Sequence, residues 1–479
     1  MDNRSDIWRG VDTIKPRFIA LSDKVWAMPE VCYTEARSAG EHLAELRHQD
    51  FRVAENVAGI PTALMGEWGE SGPVIAFLGE YDALPGLSQQ AGVAEPRPIE
   101  VGGHGHGCGH NLLGSAALLA ATAVKDWLAA HKSPGRVRYY GCPAEEGGAA
   151  KTFMVRSGAF DDADIAITWH PNSFWEVAVT PSLANTRADF IFTGRASHAA
   201  ASPHLGRSAL DAVELMNVGV NYMREHMPST ARIHYAVLDS GGTAPNVVQA
   251  RATVRYLVRA ADLPQLHALV QRVRKVAEGA ALMTETAVSG RIVNGDADLV
   301  GNTPLEELMH AQIERLGPVP FDDRDREFAA EMQKSMTEED IASSYARYGV
   351  APQHGLALHG GVYPLGSGDG SFVGSTDVGT VSWVVPTVQM RAATYAIGTP
   401  GHSWQLVAQG KAPAAHKGLA HAAKVMAGTA VDCIVDPSLV ERARQDLKRR
   451  LGGKTFVNPI PDDVEPPGFA MGQSHVASG

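Results

Sequence analysis

Cysteine is scarce in this chain of 479 residues, which has only four. They are Cys32, Cys108, Cys142 and Cys433. Cysteines this few and this far apart do not make a disulfide framework and are typical of a protein kept in a reducing compartment. The first ten residues also lack the apolar core of a secretory signal. Both absences predict a cytoplasmic protein.

Positive charge is also in deficit, since 42 Lys and Arg stand against 53 Asp and Glu and the net charge is -11 at pH 7. This balance offers no broad basic surface for nucleic acid and no polybasic patch for anionic lipids. We see no apolar run of membrane-spanning length either. We therefore expect neither nucleic acid nor a membrane as a partner. A small anionic substrate stays compatible, because it needs only local positive charge.

Glycine, by contrast, is concentrated in the stretch from Gly102 to Asn111, which also holds three histidines and Cys108. Glycine lets the backbone bend sharply and approach a bound group closely. Thiolate and imidazole are ligands that divalent transition metals prefer. The Ala- and Leu-rich residues 111–130 predict a helix directly afterwards. The stretch therefore predicts a metal-binding loop at a helix N-terminus, and a flexible loop with incidental histidines is the alternative.

Polar side chains follow three apolar segments, residues 73–78, 136–141 and 164–169, which predict buried strands. These side chains are Asp82, Glu145, Glu146 and His170. Strands that alternate with helices predict an α/β layered sheet, and such sheets bind ligands at the carboxyl ends of their strands. We therefore expect these side chains to meet at one edge of the sheet.

The pattern changes between residues 184 and 295, where the predicted elements follow the order βαββαβ. This order predicts a small split α/β sandwich of ferredoxin-like type. The chain is long enough for two or more domains, and we place this one as an insertion into a catalytic domain. The two parts of that catalytic domain are residues 1–183 and 296–479. Within the second part, residues 325–348 predict a helix.

Three arginines, Arg251, Arg255 and Arg259, lie at even spacing on one predicted strand of the inserted domain and share a face. Such a stripe is most often solvated surface or the rim of an interface. The alternative is that one of them, for which we take Arg255, binds a substrate carboxylate through two hydrogen bonds.

Five candidate metal ligands stand out when these observations are combined. They are Cys108, His110, one of the adjacent Glu145 and Glu146, His170, and His402. Five ligands exceed what one tetrahedral zinc takes, whereas they suit two metal ions about 3.5–4 Å apart. The second glutamate then remains free to act as a general base. The set predicts metal-assisted hydrolysis of an amide.

His402 is the ligand for which the sequence offers least, because His416 and His421 lie nearby. Those two fall within a predicted helix, whereas His402 follows the segment Gly398-Thr399-Pro400-Gly401, where the backbone can approach a site. We therefore favour His402.

Six motifs in this order resemble the aminoacylase/carboxypeptidase family of dinuclear metallo-amidohydrolases. Within that family the chain is similar to the branch of indole-acetyl-amino-acid hydrolases and p-aminobenzoyl-glutamate hydrolases, over roughly residues 14–430. The motifs are Tyr81-Asp82-Ala83-Leu84-Pro85, Gly107-Cys108-Gly109-His110, Pro143-Ala144-Glu145-Glu146-Gly147, Trp169-His170, Gly194-Arg195-Ala196-Ser197-His198-Ala199-Ala200 and Gly241-Gly242-Thr243-Ala244-Pro245-Asn246-Val247-Val248.

The resemblance implies a metallopeptidase-type α/β sandwich with an inserted lid and dimerisation domain, two divalent metals and these roles. Cys108 stands where most of the family has a bridging aspartate, and Glu145 matches the general base. Asp82 matches the carboxylate that orients a ligand or the base. The remaining metal ligands are His110, Glu146, His170 and His402.

Two residues of the inserted domain also match the family. His198 matches a histidine that binds substrate or the developing oxyanion, in many relatives across a dimer interface. Asn246 is similar to a substrate-binding asparagine. The resemblance therefore implies a homodimer or a higher homo-oligomer.

Two positions depart from the family pattern. Glu80 stands where dizinc members have a metal-binding histidine, and Asn111 stands where most relatives have aspartate. The thiolate of Cys108 favours zinc, while the resemblance to the p-aminobenzoyl-glutamate-type subgroup implies manganese as the alternative.

These observations predict a metal-dependent amidohydrolase that cleaves N-acyl amino acids, with p-aminobenzoyl-glutamate-like conjugates favoured. A dipeptidase and a hydrolase of another aromatic C–N bond are alternatives within the enzymes. A non-catalytic metal-binding dimer is the alternative outside them.

Overall fold

The computed structural model describes residues 3–179, 182–353, 355–367 and 374–467. Its α-helices are α1 (Asn3–Trp26), α2 (Ala36–His48), α3 (His110–His131), α4 (Ala150–Arg156), α5 (Ala209–Met223), α6 (Leu263–Thr284), α7 (Thr303–Leu316), α8 (Asp323–Gln333), α9 (Glu338–Ala346), α10 (Val378–Ser382), α11 (Trp404–Gln409), α12 (Pro413–Val435) and α13 (Pro437–Leu451). Its strands are β1 (Arg52–Glu55), β2 (Leu64–Trp68), β3 (Val74–Glu80), β4 (Arg136–Cys142), β5 (Ile165–Asn172), β6 (Glu176–Val177), β7 (Ala184–Thr193), β8 (Arg232–Asp239), β9 (Arg251–Ala260), β10 (Ala287–Asp296) and β11 (Thr387–Ala393).

A seven-stranded sheet in the order β1-β2-β4-β3-β5-β11-β6 forms the centre of the protein. Strands β4, β3, β5 and β11 are parallel to one another, and the outer pairings are antiparallel. Every residue of β3 is buried, because the sheet has a core on each face. Ile75 and Phe77 pack into one core and Ala76 and Leu78 into the other. The predicted α/β sheet is confirmed.

The parallel strands end at one edge of this sheet and position the site. Strand β3 ends at Glu80, two residues before Asp82, and β4 ends at Cys142, three residues before Glu145. His170 lies near the end of β5. Loops that leave neighbouring parallel strands at the same edge bring their side chains together.

A separate four-stranded sheet, in the order β10-β7-β9-β8, is antiparallel throughout. Helices α5 and α6 pack on one face of it around their own apolar core. The element order from β7 to β10 is βαββαβ, as the sequence predicts. Strand β8 is an edge strand whose residues after Ile233 are exposed.

The helix predicted over residues 325–348 is two helices, α8 and α9. Thr337 begins α9 with a capping box, in which its side chain and that of Asp340 bond each other's backbone N–H. A residue that satisfies free N–H groups in this way starts a new helix. Strand β11 was not predicted, because the sequence from Thr387 to Ala393 mixes apolar, amide and arginine side chains without alternation.

Two helices, α3 and α12, are long and apolar enough to span a membrane by length and composition, contrary to our expectation from the sequence. Their most apolar windows are 83% and 89% buried inside the protein. Helices wrapped by protein on nearly all sides are apolar for that reason, so both are explained as core helices.

Candidate metal centre

His110 is the most deeply enclosed member of the site. It is the first residue of α3 and is fully buried, with Nδ1 2.7 Å from Asp82 Oδ1. A carboxylate at Nδ1 fixes the proton there and directs the lone pair of Nε2 outward, as in metal-binding histidines. Nε2 is buried and has no hydrogen-bond partner among the residues that the structure describes. This nitrogen is therefore suited to a metal ion.

Two ligand groups share the thiol of Cys108. In the first, Cys108 lies with His110 and His170, and in the second with Glu146 and His402. The donor atoms within each group lie within 4.8 Å of one another. A thiolate that belongs to both groups is placed to bridge two ions. The structure thus brings all five predicted ligands together.

The closest ligand pairs have the spacing that a metal requires. Cys108 Sγ lies 3.3 Å from His170 Nε2, and His402 Nε2 lies 3.2 Å from Glu146 Oε2. Donor atoms on one tetrahedral ion, each about 2.0–2.3 Å from it, are about 3.3–3.6 Å apart. Soft sulfur and imidazole with one carboxylate are the donors that zinc and similar divalent ions take. The residues present therefore fit a pair of divalent metals.

Local backbone conformations hold these ligands in place. His402 has a φ of 56°, in the left-handed region, and its N–H donates to Gly107 O at 3.0 Å. This bond ties the His402 loop to the loop of Cys108. Gly109, with a φ of 80°, turns the chain into α3 at a conformation that most other residues adopt with strain.

Glu145 and Glu146 are adjacent in sequence but differ in environment. Burial, reinforced by the charges of Glu80 and Glu146, raises the pKa of Glu145 well above its usual value. Burial alone would raise the pKa of Glu146, but a hydrogen bond from His402 and the charge of His110 hold it below its usual value. Glu145 is therefore suited to take and give a proton, and Glu146 to act as an anionic ligand.

A cavity of about 480 Å³ opens beside the ligands and is closed on its far side by the four-stranded sheet. Its cationic lining includes Arg187 on β7 and Arg259 on β9, both half-buried. Its aromatic lining includes Tyr395, which is half-buried, with Phe174 and Tyr348 fully buried behind it. The cavity thus combines positive charge with aromatic surface next to the candidate metal centre.

The loop of the two glutamates is bonded to the four-stranded sheet. Arg187 Nη1 donates to Gly147 O at 3.1 Å, and the Asn294 side-chain amide donates to the same oxygen. Arg187 lies on β7 and Asn294 on β10, the two strands that connect this sheet to the rest of the chain. The carbonyl next to Glu146 is therefore held from both strands.

Arg255 lies outside the cavity lining, contrary to its predicted role in substrate binding. Its Nε and Nη2 donate to Asp189 at 2.6 and 3.0 Å, so its guanidinium is already paired. Arg259, four residues further along β9, reaches the lining instead, where its Nη1 donates to Ser375 Oγ at 2.7 Å. Sequence reasoning missed Arg187, although Asn185, Arg187 and Asp189 stand at every second position of β7 and mark a polar face.

His198 and Asn246 lie together but away from this cavity. Both are exposed, and Ala199 N donates to Asn246 O at 2.9 Å, which joins their two loops. Nδ1 of His198 accepts hydrogen bonds from the backbone of Ala200 and Ala201. Neither residue lines the cavity of its own chain, so their predicted roles in substrate binding stay predictions.

Comparison with known proteins places the fold and the sequence in one family. The family model described as Peptidase family M20/M25/M40 matches residues 76–461. A solved structure from Bacillus subtilis, described as a dinuclear metal binding peptidase from M20 family, has a TM-score of 0.57 and 16% identity and covers 88% of this chain and 99% of its own. That likeness confirms the fold.

Two relatives of known name cover nearly the whole chain. One subunit of the p-aminobenzoyl-glutamate hydrolase of Escherichia coli (strain K12) is 45% identical over 476 residues, 96% of this chain and 99% of that protein. The Xaa-Arg dipeptidase of Mus musculus is 30% identical over 463 residues, 94% of this chain and 93% of that protein. The chain therefore belongs to peptidase family M20/M25/M40.

Proposed function

We propose that this chain is a metal-dependent amidohydrolase that cleaves the amide between an aromatic acyl group and an acidic amino acid, as in p-aminobenzoyl-glutamate. The observation that carries the proposal is the pair of ligand groups sharing Cys108, with Glu145 beside them as a carboxyl of raised proton affinity. The 45% identity to one subunit of a p-aminobenzoyl-glutamate hydrolase supports the substrate class.

The ions would be held by the five ligands described above, with Asp82 orienting His110. Zinc is favoured by the thiolate, and manganese is compatible with the imidazoles and the carboxylate. When bound, such ions would lower the pKa of a water and polarise the amide carbonyl. Glu145 takes the proton of the attacking water and delivers it to the leaving nitrogen. The products are an aromatic acid and a free amino acid.

Substrate orientation follows from the two kinds of cavity lining. Arg187 and Arg259 attract the carboxylates of the leaving amino acid, since guanidinium groups bind carboxylates through parallel hydrogen bonds. Tyr395, which is half-buried in the lining, offers an aromatic surface on which an aromatic acyl group can pack. An amide between these two ends lies near the ligands.

A substrate panel tests this assignment. We expect the zinc- or manganese-loaded chain to hydrolyse p-aminobenzoyl-glutamate faster than p-aminobenzoyl-glutamine, because glutamine lacks the second carboxylate. A dipeptide ending in arginine should be the poorest substrate, because it brings a cation to a cationic lining. Faster turnover of that dipeptide would favour the dipeptidase alternative, which the Xaa-Arg dipeptidase relative at 30% identity supports. Absence of turnover on every amide with metals fully loaded would favour the non-catalytic alternative.

We further propose that the protein is a dimer that pairs through the four-stranded sheet. The free edge strand β8 exposes Tyr235, Val237 and Leu238 at 42, 46 and 49%. An uncovered apolar edge strand is a template for pairing with another chain. A second copy across this edge would cover it and leave the exposed His198 available to the partner's cavity. A different chain of the same fold is the alternative, because the Escherichia coli relative is named as one subunit of a hydrolase.

Mixing two inactive variants tests the trans role of His198. Glu145→Gln removes the general base from a subunit's own site. His198→Ala removes the histidine that a subunit would contribute to its partner's site. If subunits exchange freely, half of the dimers are mixed and each has one complete site, so about a quarter of wild-type activity returns. If His198 serves its own cavity, the mixture is no more active than its components.

The protein's location is the last part of the proposal. All four cysteines are free, and Cys108 must stay reduced to bind a metal. A cytoplasmic enzyme satisfies both conditions.

A further inference from the structure

Lys151, which the sequence did not single out, is fully buried on the first turn of α4. Its Nζ lies 2.7 Å from Glu80 Oε1 and 2.6 Å from Asp377 Oδ1, and its backbone N–H donates to Asp377 Oδ2 at 3.0 Å. A buried ammonium requires partners of opposite charge, and these two carboxylates provide them. The ion pairs therefore engage one oxygen of Glu80 and leave the other unused.

The second oxygen of Glu80 faces the candidate metal centre. Glu80 Oε2 lies 3.3 Å from His110 Nε2, the buried nitrogen that has no hydrogen-bond partner. Glu80 and His110 also belong, with Glu145, to a third group whose donor atoms all lie within 4.8 Å of one another. The 3.3 Å between Glu80 Oε2 and His110 Nε2 equals the spacing of two donors about 2.0–2.1 Å from one tetrahedral ion.

We propose that Glu80 is a sixth protein ligand of the metal centre, on the ion held by His110, and that Lys151 is the positioning residue that restricts it to one oxygen. The inference rests on the proposed metal centre. It assigns a role to Glu80 at the position where a metal-binding histidine is absent from this sequence. By engaging Oε1, Lys151 keeps Glu80 monodentate and points Oε2 at the ion.

Two variants of the same ion-pair network separate this role from a structural one. Glu80→Gln and Asp377→Asn each remove one of the two carboxylates that Lys151 contacts. In the first variant the ammonium attracts the amide oxygen, so the amide nitrogen, which is not a ligand, turns toward His110. In Asp377→Asn, Glu80 is unchanged and its Oε2 still faces His110. The two variants are therefore matched in charge and in lost ion pairs.

The measurement is a titration of the chelator-stripped full chain with Zn²⁺ in competition with a chromogenic chelator. We expect Glu80→Gln to weaken the binding of one of the two ions at least about tenfold, and Asp377→Asn to leave both affinities within about threefold of wild type. Thermal unfolding of the stripped proteins should show a similar loss of stability in both variants. Wild-type affinity in Glu80→Gln, or an equal loss of affinity in the two variants, would overturn the inference.

The outcomes also distinguish this inference from the proposed function. If the wild-type chain binds neither Zn²⁺ nor Mn²⁺, the proposed metal centre itself is wrong. If wild type and Glu80→Gln bind two ions with equal affinity, only the role of Glu80 is wrong. If Glu80→Gln does not fold, a crystal structure of the zinc-loaded wild-type protein decides. A Glu80 Oε2–zinc distance of about 2.0–2.2 Å supports the inference, and a distance beyond about 3 Å overturns it.

Discussion

The two sheets contribute to the site in different ways. The seven-stranded sheet is covered on both faces and supplies chemistry at and beyond the carboxyl ends of its parallel strands, as at His170 and Glu145. The four-stranded sheet is covered on one face and supplies Arg187 and Arg259 from within its strands. The first mode leaves short motifs in the sequence. The second depends on how one sheet is placed against the other.

The largest effect should come from the strand-end chemistry. We expect Glu145→Gln to lower kcat by about 10²–10⁴-fold, because an amide cannot accept the proton of the attacking water. The variant should keep its metals, as metal analysis of the purified protein would show. The matched control is Glu146→Gln, which should lose metal as well as rate. Full activity in Glu145→Gln would remove this residue from the role of base.

A smaller effect is expected from the face of the four-stranded sheet. Arg259→Met should lower kcat/KM for p-aminobenzoyl-glutamate about 10- to 100-fold, which corresponds to the loss of one charge-assisted hydrogen bond. Arg255→Met, on the same strand and the same face, should change it little, because Arg255 pairs with Asp189 outside the cavity. A larger loss of kcat/KM in Arg255→Met than in Arg259→Met would support the role predicted for Arg255 from the sequence.

The free energy of unfolding at low pH should depend on His42 of α2, which packs against the central sheet. His42 is fully buried against Tyr139, and burial lowers its pKa to about 3. Because the folded pKa is below the unfolded one, its contribution is complete above about pH 6.5 and is lost as pH falls toward 3. His42 alone should lower the free energy of unfolding in urea by about 1.4 kcal/mol per pH unit over this range, in addition to the contribution of the other buried histidines.

Two variants check that assignment. His42→Asn should lower the slope of the free energy of unfolding against pH, because unfolding then takes up about one proton fewer. His234→Asn, on the exposed edge strand β8, should leave it unchanged. Equal slopes in wild type and His42→Asn would show that another group controls the acid transition.

The smallest effect on folding is expected at the edge of the four-stranded sheet. Val237→Lys places a charge on β8, where the side chain is 46% exposed. A surface change of this kind should alter stability by no more than about 0.5 kcal/mol, while it should prevent pairing of two copies through this strand. Sedimentation equilibrium would show a monomer. If the Val237→Lys protein sediments with the same mass as the wild-type dimer, the interface does not lie at β8.

The sequence was most informative where a side chain follows a strand or a glycine. Cys108 and Glu146 do so, and His170 lies near the end of a strand. The structure brings them together with His402, which comes from more than two hundred residues further on. Parallel strands impose that convergence, so it could be predicted without coordinates.

The missed residues are those whose role depends on distant neighbours. Lys151 looks like an ordinary helix residue until Glu80 and Asp377, which are 71 and 226 positions away, are placed beside it. Even spacing put Arg255 and Arg259 on one face of a strand, but it could not show which of them Asp189 neutralises. That choice is made by the register between β7 and β9, where Asp189 faces Arg255.

The doubly held carbonyl of Gly147 has a mechanical consequence. Because Arg187 on β7 and Asn294 on β10 both donate to Gly147 O, a tilt of the four-stranded sheet away from the cavity would stretch two hydrogen bonds next to Glu145 and Glu146. A small molecule that binds between the two sheets would therefore displace these glutamates without contacting a metal ligand. The space between the sheets is thus a target for inhibitors that need no metal-chelating group.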